Sequence, residues 1–193
     1  NIQRPGNYPM FQKQNVITIR VIDKETNEDV FNRSLTYIID DEEYTIPVVS
    51  LTMPYEDWFD ENTGMYNRIR EDIEKRVYLE YFDFANEEFF SLNSKIKLGG
   101  NWTLGYPMRT LNLNFNKDEN GNKNTPVTIP IFKDRSKRGN RDERLTKLTR
   151  FRLHSGGNAF ESWTGFNDAI IQNMMESGRA STTGFRPCIA YLN

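Results

Sequence analysis

The chain has 193 residues, of which 37% are hydrophobic, 13% aromatic and 27% charged. This is the composition of a globular protein that can bury a core of its own, so intrinsic disorder is not the default interpretation. The formal net charge of −2 gives no overall attraction to nucleic acid or to an anionic membrane surface. No apolar run approaches the roughly 18 residues that a membrane-spanning helix needs.

A single cysteine, Cys188, and a single histidine, His154, limit the chemistry. They exclude a zinc site built only from His and Cys, and they leave at most one Cys–His pair for covalent catalysis. Cys188 lies in an apolar run that is typical of a buried strand, with no second cysteine to bond. His154 lies where a predicted strand turns into a Ser-Gly-Gly loop. We therefore expect an exposed or hydrogen-bonded loop residue rather than a catalytic base.

Two β-branched runs open the predicted secondary structure. Residues 16–22 and 34–39 are separated by a polar turn and predict a hairpin or two neighbouring strands. A third apolar run, residues 46–51, predicts another strand, and its Pro47 must lie at the strand start or on a sheet edge. The acidic segment 40–43 separates the second run from the third and changes the composition of the chain. We therefore place a domain boundary there, between residues 1–42 and 43–193.

The middle of the chain alternates strands with aromatic or polar connections. Residues 54–67 hold aromatic side chains without a clean period, which predicts an ordered loop or short helix. The clearest strand is 109–115, where Leu111, Leu113 and Phe115 alternate with polar residues. Other strands are predicted at 76–82, 95–98 and 127–132, with a turn at 118–124.

The C-terminal part contains one stretch with helical spacing, within residues 165–177, and a final strand at 187–192. Several strands with one principal helix indicate an α+β fold. We expect a mainly antiparallel sheet from residues 76–132 and 147–153, packed on that helix with the final strand beside it.

A basic segment spans residues 133–152, with nine Lys or Arg against three acidic residues. Such an excess suits phosphate groups or an acidic polymer. Ser136, Gly139 and Asn140 interrupt the pattern, and no aromatic residue precedes Phe151, so base stacking has no platform. We expect a solvated loop and no nucleic-acid binding.

A glycine-containing segment at residues 99–105 lies between two predicted strands. Glycines let backbone N–H groups approach an anion, and Thr103 adds a hydroxyl, as a phosphate-covering hairpin requires. An ordinary structural turn has the same composition. Asp168 and Glu176, about two helical turns apart, share one face of the predicted helix. Alternatively, Asp168 complements the helix dipole at the N-terminus, and Glu176 is a solvated residue at the end of the helix.

A series of short segments occurs in a distinctive order. IPVVSL at residues 46–51 leads to WFDENTGMY at 58–66, and GNWTLGYPMR follows at 100–109. RLHSGGN at 152–158, FNDA at 166–169 and RPCIAYLN at 186–193 come later. In this order they resemble the “PVVSL” strand, “lfD…tGiY” loop, “GNSS…PKKS” hairpin, “LRNGGN” element, “fRDal” helix and “rPvvvYLNGeYwG” strand of CotH (spore-coat protein H)-type kinase domains.

The resemblance implies the N-terminal, nucleotide-covering portion of an atypical protein kinase that uses ATP and Mg²⁺ to phosphorylate serine on a protein substrate. It implies a secreted or cell-surface protein, and residues 1–42 resemble the end of the chitobiase C-terminal-like β-sandwich that often precedes such a domain. The site residues implied for covering the nucleotide are Gly100, Asn101, Thr103 and Arg109, with Asp168 orienting a phosphate-binding cation.

Several positions depart from the family pattern. Met108 and Arg109 stand where the family has paired lysines, Trp102 and Thr103 where it has serines, and Ala159 where an acid tends to follow the glycines. The family's catalytic and metal-binding aspartates lie beyond the position of Asn193. We therefore expect no catalysis from this chain and name no catalytic or metal-binding residue.

Arg109 itself is expected to point its charge outward from its strand without supporting the core. Two other functions stay open beside the kinase interpretation. One is a non-catalytic cell-surface module that binds a glycan or protein through an aromatic loop, and the other is a structural piece without a ligand. The loop residues proposed for the binding module are Tyr55, Trp58, Phe59 and Tyr66.

Overall fold

Strands dominate the fold. A computed structural model of the chain describes residues 14–26, 29–39, 43–116, 126–137, 140–156, 165–175 and 182–193. The strands are β1 (Gln14–Ile22), β2 (Asp29–Ile38), β3 (Val48–Thr52), β4 (Lys75–Asp83), β5 (Glu88–Gly99), β6 (Thr110–Asn114), β7 (Val127–Lys137), β8 (Asn140–Leu148), β9 (Arg150–Leu153) and β10 (Ile189–Leu192). The helices are α1 (Tyr55–Phe59) and α2 (Asn167–Met175), with 3-10 turns at Phe84–Asn86 and Trp102–Gly105.

The strands form a mixed sheet and two hairpins. Six of them are hydrogen-bonded neighbours in the order β10-β3-β4-β5-β6-β9, while β1-β2 and β7-β8 each form a two-stranded sheet. β10 runs parallel to β3, whereas β3-β4, β5-β6 and β6-β9 pair antiparallel. The α+β expectation is confirmed at this level: many strands accompany one principal helix.

The chain divides into two compact units. The first comprises Asn1–Pro54, Val77–Leu92 and Cys188–Asn193, and the second comprises Tyr55–Arg76 and Asn93–Pro187. These are groups of contacting residues rather than sequence-continuous domains. The boundary near residue 42 stays a prediction.

In the first unit, β3 pairs with β10 on one edge and with β4 on the other, and its successive side chains are buried on both faces. Val48, Val49 and Leu51 are at most 2% exposed. Pro47 directly precedes β3, as its missing N–H requires, and its carbonyl accepts a hydrogen bond from the Ile189 backbone N–H at 2.9 Å. Cys188 precedes β10, is only partly buried, and burial raises the pKa of its thiol.

A chain of buried and half-buried polar side chains joins β2, β3 and β4 within this unit. Thr36 Oγ1 donates to the Glu80 carboxyl oxygen Oε2 at 2.5 Å and lies 2.8 Å from Ser50 Oγ. Since a hydroxyl has one hydrogen, Ser50 must donate to Thr36. Asn193 Nδ2 in turn donates to Ser50 Oγ at 2.8 Å. The direction of this hydrogen-bond chain, which ends at the 7% exposed Glu80, is thereby fixed.

The second unit buries one face of its strands. Leu111, Leu113 and Phe115 are at most 4% exposed, which confirms the alternation predicted for this strand. Trp58, Met65 and Ile96 add to the same unit's buried apolar residues. In the described residues, neither helix has the length and hydropathy to cross a membrane.

One expectation about local structure is wrong. Residues 133–137 and 140–148 belong to the hairpin β7-β8 rather than to a loop, and Lys137 pairs with Asn140. Ser136 and Asn140, which interrupt the pattern, lie in these two strands, since backbone pairing does not require apolar side chains. Gly139 lies outside the described residues. β5 contains the strand predicted at 95–98 and begins earlier, at Glu88.

Other sequence-based predictions hold, within the described residues. The hairpin of residues 16–22 and 34–39 is present as β1-β2, and α2 lies within the predicted 165–177. Residues 54–67 contain the short helix α1 followed by turns. The turn predicted at 118–124 and the residues Ala159 and Glu176 lie outside the described residues.

Candidate functional site

Three strands of the second unit meet at one edge, which carries most of the predicted site residues. Gly99, the last residue of β5, pairs with Thr110, the first residue of β6, while Leu111 pairs with Leu153, the last residue of β9. The loop after β5 and the segment after β9 therefore start at the same end of the sheet, on either side of β6. We call residues 99–110 and 154–156 the glycine edge.

A tight turn forms the loop of the glycine edge. The N–H of Leu104 donates to the Asn101 carbonyl at 3.3 Å, and the N–H of Tyr106 donates to the Thr103 carbonyl at 3.2 Å. Gly100 has a φ of +114°, and a Cβ at this position would clash with Thr103 Oγ1. Only glycine avoids both problems, and the absence of a side chain at Gly100 leaves room for the Thr103 hydroxyl.

The segment after β9 is tied to this loop's far end. Thr110 Oγ1 lies 3.2 Å from Ser155 Oγ and accepts a hydrogen bond from the Ser155 N–H at 3.4 Å. Gly156 has a φ of +83°, and an added Cβ there would lie 2.9 Å from the Cα of Gly165. Since α2 begins at Asn167, this close backbone approach brings the start of the helix to the glycine edge.

His154 has the role expected from the sequence. It is exposed, and its Nδ1 accepts a hydrogen bond from the Gly156 N–H at 3.2 Å. This bond shapes the backbone at Gly156. His154 is thus a hydrogen-bonded loop residue.

The prediction that Arg109 points its charge freely outward is wrong. Its guanidinium carbon lies 4.7 Å from the centroid of the Tyr66 ring, and its Nη1 donates to the Tyr66 backbone carbonyl. Its Nε is buried without a hydrogen-bond partner. Burial raises the pKa of Tyr66, and the positive charge of Arg109 partly opposes this rise. Arg109 thus anchors the end of the loop to an aromatic ring, because an arginine next to tyrosine gains both stacking and a hydrogen bond.

Asp168 lies exposed in the first turn of α2. Its negative charge there complements the positive end of the helix dipole. Asn101 is exposed and makes no side-chain capping bond to the turn that follows it. The structure therefore brings Gly100, Asn101 and Thr103 together in one loop, while Asp168 reaches this edge only through the backbone contact described above.

The aromatic loop proposed for a binding module is mostly structural. Trp58 is 1% exposed and packs edge-on against Tyr66, with ring centroids 6.1 Å apart. Phe59 packs between Tyr55 and Tyr66, with ring centroids 5.3 Å away in both cases. Tyr55 alone is widely exposed, at 70%. The other three rings hold the chain after α1 in place.

Sequence analysis missed three residues of the glycine edge. Trp102 is 85% exposed at the first position of the 3-10 turn, and Thr110 and Ser155 form the bridge between its two segments. The sequence signal for Trp102 was its place between Gly-Asn and Thr, where no core pattern explains a large apolar residue. The bridge gave no signal, because it joins residues 45 positions apart.

The side chains and backbone groups present determine which cofactor or metal could bind. Within the described residues, no three or more His, Cys, Asp or Glu side chains are grouped so as to hold a metal ion. The glycine edge offers backbone N–H groups and hydroxyls, which are donors suited to an anion rather than to a metal ion. In comparisons with known proteins, no family model, curated protein or solved structure matches this chain.

Proposed function

We propose that the chain is the N-terminal, nucleotide-covering portion of a CotH-like atypical protein kinase domain, and that the glycine edge binds the phosphates of ATP. The parent domain would phosphorylate serine on a protein substrate with ATP and Mg²⁺, at the cell surface or outside the cell. This chain would contribute nucleotide binding without catalysis.

The observation that carries the proposal is the meeting of two separate motifs. GNWT at residues 100–103 and the Ser155–Gly156 segment are far apart in sequence, yet the Thr110–Ser155 hydrogen bonds hold them at one edge. Both contribute a glycine with positive φ. A glycine lets an anion approach the backbone closely, and the Thr103 hydroxyl beside Gly100 adds a neutral donor for it. In the second segment the Gly156 N–H already donates to His154, so this segment supports the shape of the site.

The start of α2 strengthens this site. A helix N-terminus presents free N–H groups and a partial positive charge, which favour a phosphate. The contact of Gly165 with Gly156 brings that terminus toward the loop. In the intact domain, Asp168 in the first turn would orient a cation that accompanies the phosphates.

Arg109 has a supporting role in this proposal. Its guanidinium is held by Tyr66, so it acts as a fixed positive charge at the end of the loop rather than as a mobile phosphate ligand. Affinity must then come mainly from the loop backbone and Thr103. We expect millimolar binding of ATP, which corresponds to about 4 kcal/mol.

NMR titration with ATP tests the proposal. Chemical-shift changes should appear at residues 100–106 and at Ser155 and Gly156, and Thr103→Val should weaken binding several-fold. Thr128→Val is the matched control, because Thr128 is an exposed strand threonine of β7 outside the glycine edge. It should leave the titration unchanged.

The basic hairpin β7-β8 is the competing phosphate site. Neutralising Arg135, Lys137 and Arg138 together should not alter the shifts at residues 100–106 if the glycine edge binds the nucleotide. Shifts confined to residues 133–144 would instead refute the proposal and leave the non-catalytic binding module ahead.

A further inference from the structure

Trp102 is the most exposed large apolar side chain in the described part of the molecule, at 85%. Tryptophan carries the largest apolar surface of any residue and is usually well covered. Trp58, in the same unit, shows the usual outcome at 1% exposure. Packing within this unit therefore gives no reason for a tryptophan at position 102.

The backbone beneath Trp102 is nevertheless well fixed. Trp102 is the first residue of the 3-10 turn, and the hydrogen bonds Leu104 N–H to Asn101 and Tyr106 N–H to Thr103 close that turn around it. The indole is thus presented on an ordered turn. Little backbone entropy would be lost when a ligand packs on the indole.

Its sequence neighbours are the groups assigned to phosphate. Thr103 directly follows Trp102, and Gly100 lies two residues before it. We propose that Trp102 is the stacking platform for the aromatic base of the nucleotide, so that the ligand of the glycine edge is a nucleoside polyphosphate rather than inorganic polyphosphate or a phosphorylated peptide. This inference rests on the phosphate-binding function proposed above.

Stacking on one exposed ring also predicts the selectivity of the site. Every base has a π-face, so stacking on an aromatic side chain tolerates different bases. The site should distinguish nucleotides from inorganic triphosphate, but it should separate ATP from GTP only weakly. An exposed tryptophan can also pack against a sugar ring or a partner protein. The experiment must distinguish these ligands from a nucleotide base.

The experiment compares ATP with inorganic triphosphate by NMR titration of the whole chain. Trp102→Ala should weaken ATP binding about tenfold and leave triphosphate binding unchanged. Trp102→Phe keeps an aromatic face and should retain most of the ATP affinity. Tyr55→Ala removes another exposed ring of the same unit and should change neither titration.

The outcomes separate the two proposals. If ATP and triphosphate bind equally well and Trp102→Ala affects neither, the stacking inference is overturned and the phosphate site stands. If triphosphate causes no shifts at residues 100–106 but adenosine shifts the Trp102 indole N–H signal, the phosphate proposal fails and the stacking inference survives. An indole signal that responds to neither ATP nor adenosine, or only to saccharides, overturns the inference.

Discussion

Two aromatic regions of the second unit show how the same residue type takes opposite roles. Around α1, Trp58 is 1% exposed and packs with Phe59 and Tyr66. In the glycine edge, Trp102 is 85% exposed. The first indole is already covered by the chain, so its contribution is to stability. The second indole stays exposed to solvent, so we expect it to contribute to ligand binding rather than to stability.

The same contrast applies to polar side chains. Thr36 in the first unit is half-buried and uses its hydroxyl twice, toward Glu80 and Ser50, in a chain of hydrogen bonds. Thr103 lies half-exposed beside Gly100. Internal partners indicate a structural role, whereas polar groups that face solvent at a fixed backbone can serve a ligand.

Replacing the two tryptophans gives the largest expected difference. Trp58→Ala should lower the free energy of unfolding by about 3–5 kcal/mol, because it leaves a large cavity in a packed core. Trp102→Ala should change it by less than about 0.5 kcal/mol, as exposed substitutions usually do. Urea unfolding followed by circular dichroism measures both. A loss at Trp102 comparable to that at Trp58 would break the comparison.

The two threonines give the next largest difference. Thr36→Val should cost about 1–3 kcal/mol, since it removes the donor to the buried Glu80 and the acceptor for the buried Ser50. Thr103→Val should leave stability nearly unchanged while weakening ATP binding. Equal stability losses in the same urea experiment would show that Thr103 is a structural residue.

Arg109 sits at the junction of the two aromatic regions. Arg109→Ala should lower the free energy of unfolding by about 1–2 kcal/mol, because stacking on Tyr66 and the hydrogen bond to its carbonyl are both lost. Arg109→Lys should recover part of this loss, since the ammonium keeps the charge but not the planar fork. Thermal unfolding checks both variants.

Arg150, exposed at the start of β9, provides the matched control for that charge change. Arg150→Ala should shift the melting temperature much less than Arg109→Ala does. A similar shift in both variants would mean that loss of positive charge, rather than the Tyr66 contact, explains the effect.

The smallest expected effect concerns the pKa of Tyr66. Burial raises this pKa above the usual 10.0, so the folded state favours the neutral phenol. The resulting stability is present below pH 10 and is lost as the pH rises through the folded-state pKa. Arg109→Lys keeps the opposing charge, whereas Arg109→Ala should raise the Tyr66 pKa further. Ultraviolet titration of tyrosinate absorbance measures this shift, and a fall in the alanine variant would contradict it.

The sequence by itself determined the local structure where one face of an element is buried. The alternation of Leu111, Leu113 and Phe115 predicted β6, because a strand side chain has only two faces to choose from. The hairpin β1-β2, the α+β class and the helix were predicted on similar grounds. The turn at Gly100, Asn101 and Thr103 was predicted because glycine and short polar residues favour turns.

Only the tertiary structure decided which groups met. The contacts of Arg109 with Tyr66 and of Thr110 with Ser155 join residues 43 and 45 positions apart, and no local period encodes such pairs. The parallel pairing of β10 with β3 and the hairpin β7-β8 likewise depend on backbone partners rather than on side-chain pattern. A short-range pattern predicts that one face of an element will be buried, but the tertiary structure decides which residues cover that face. The ring of Trp102 stays exposed.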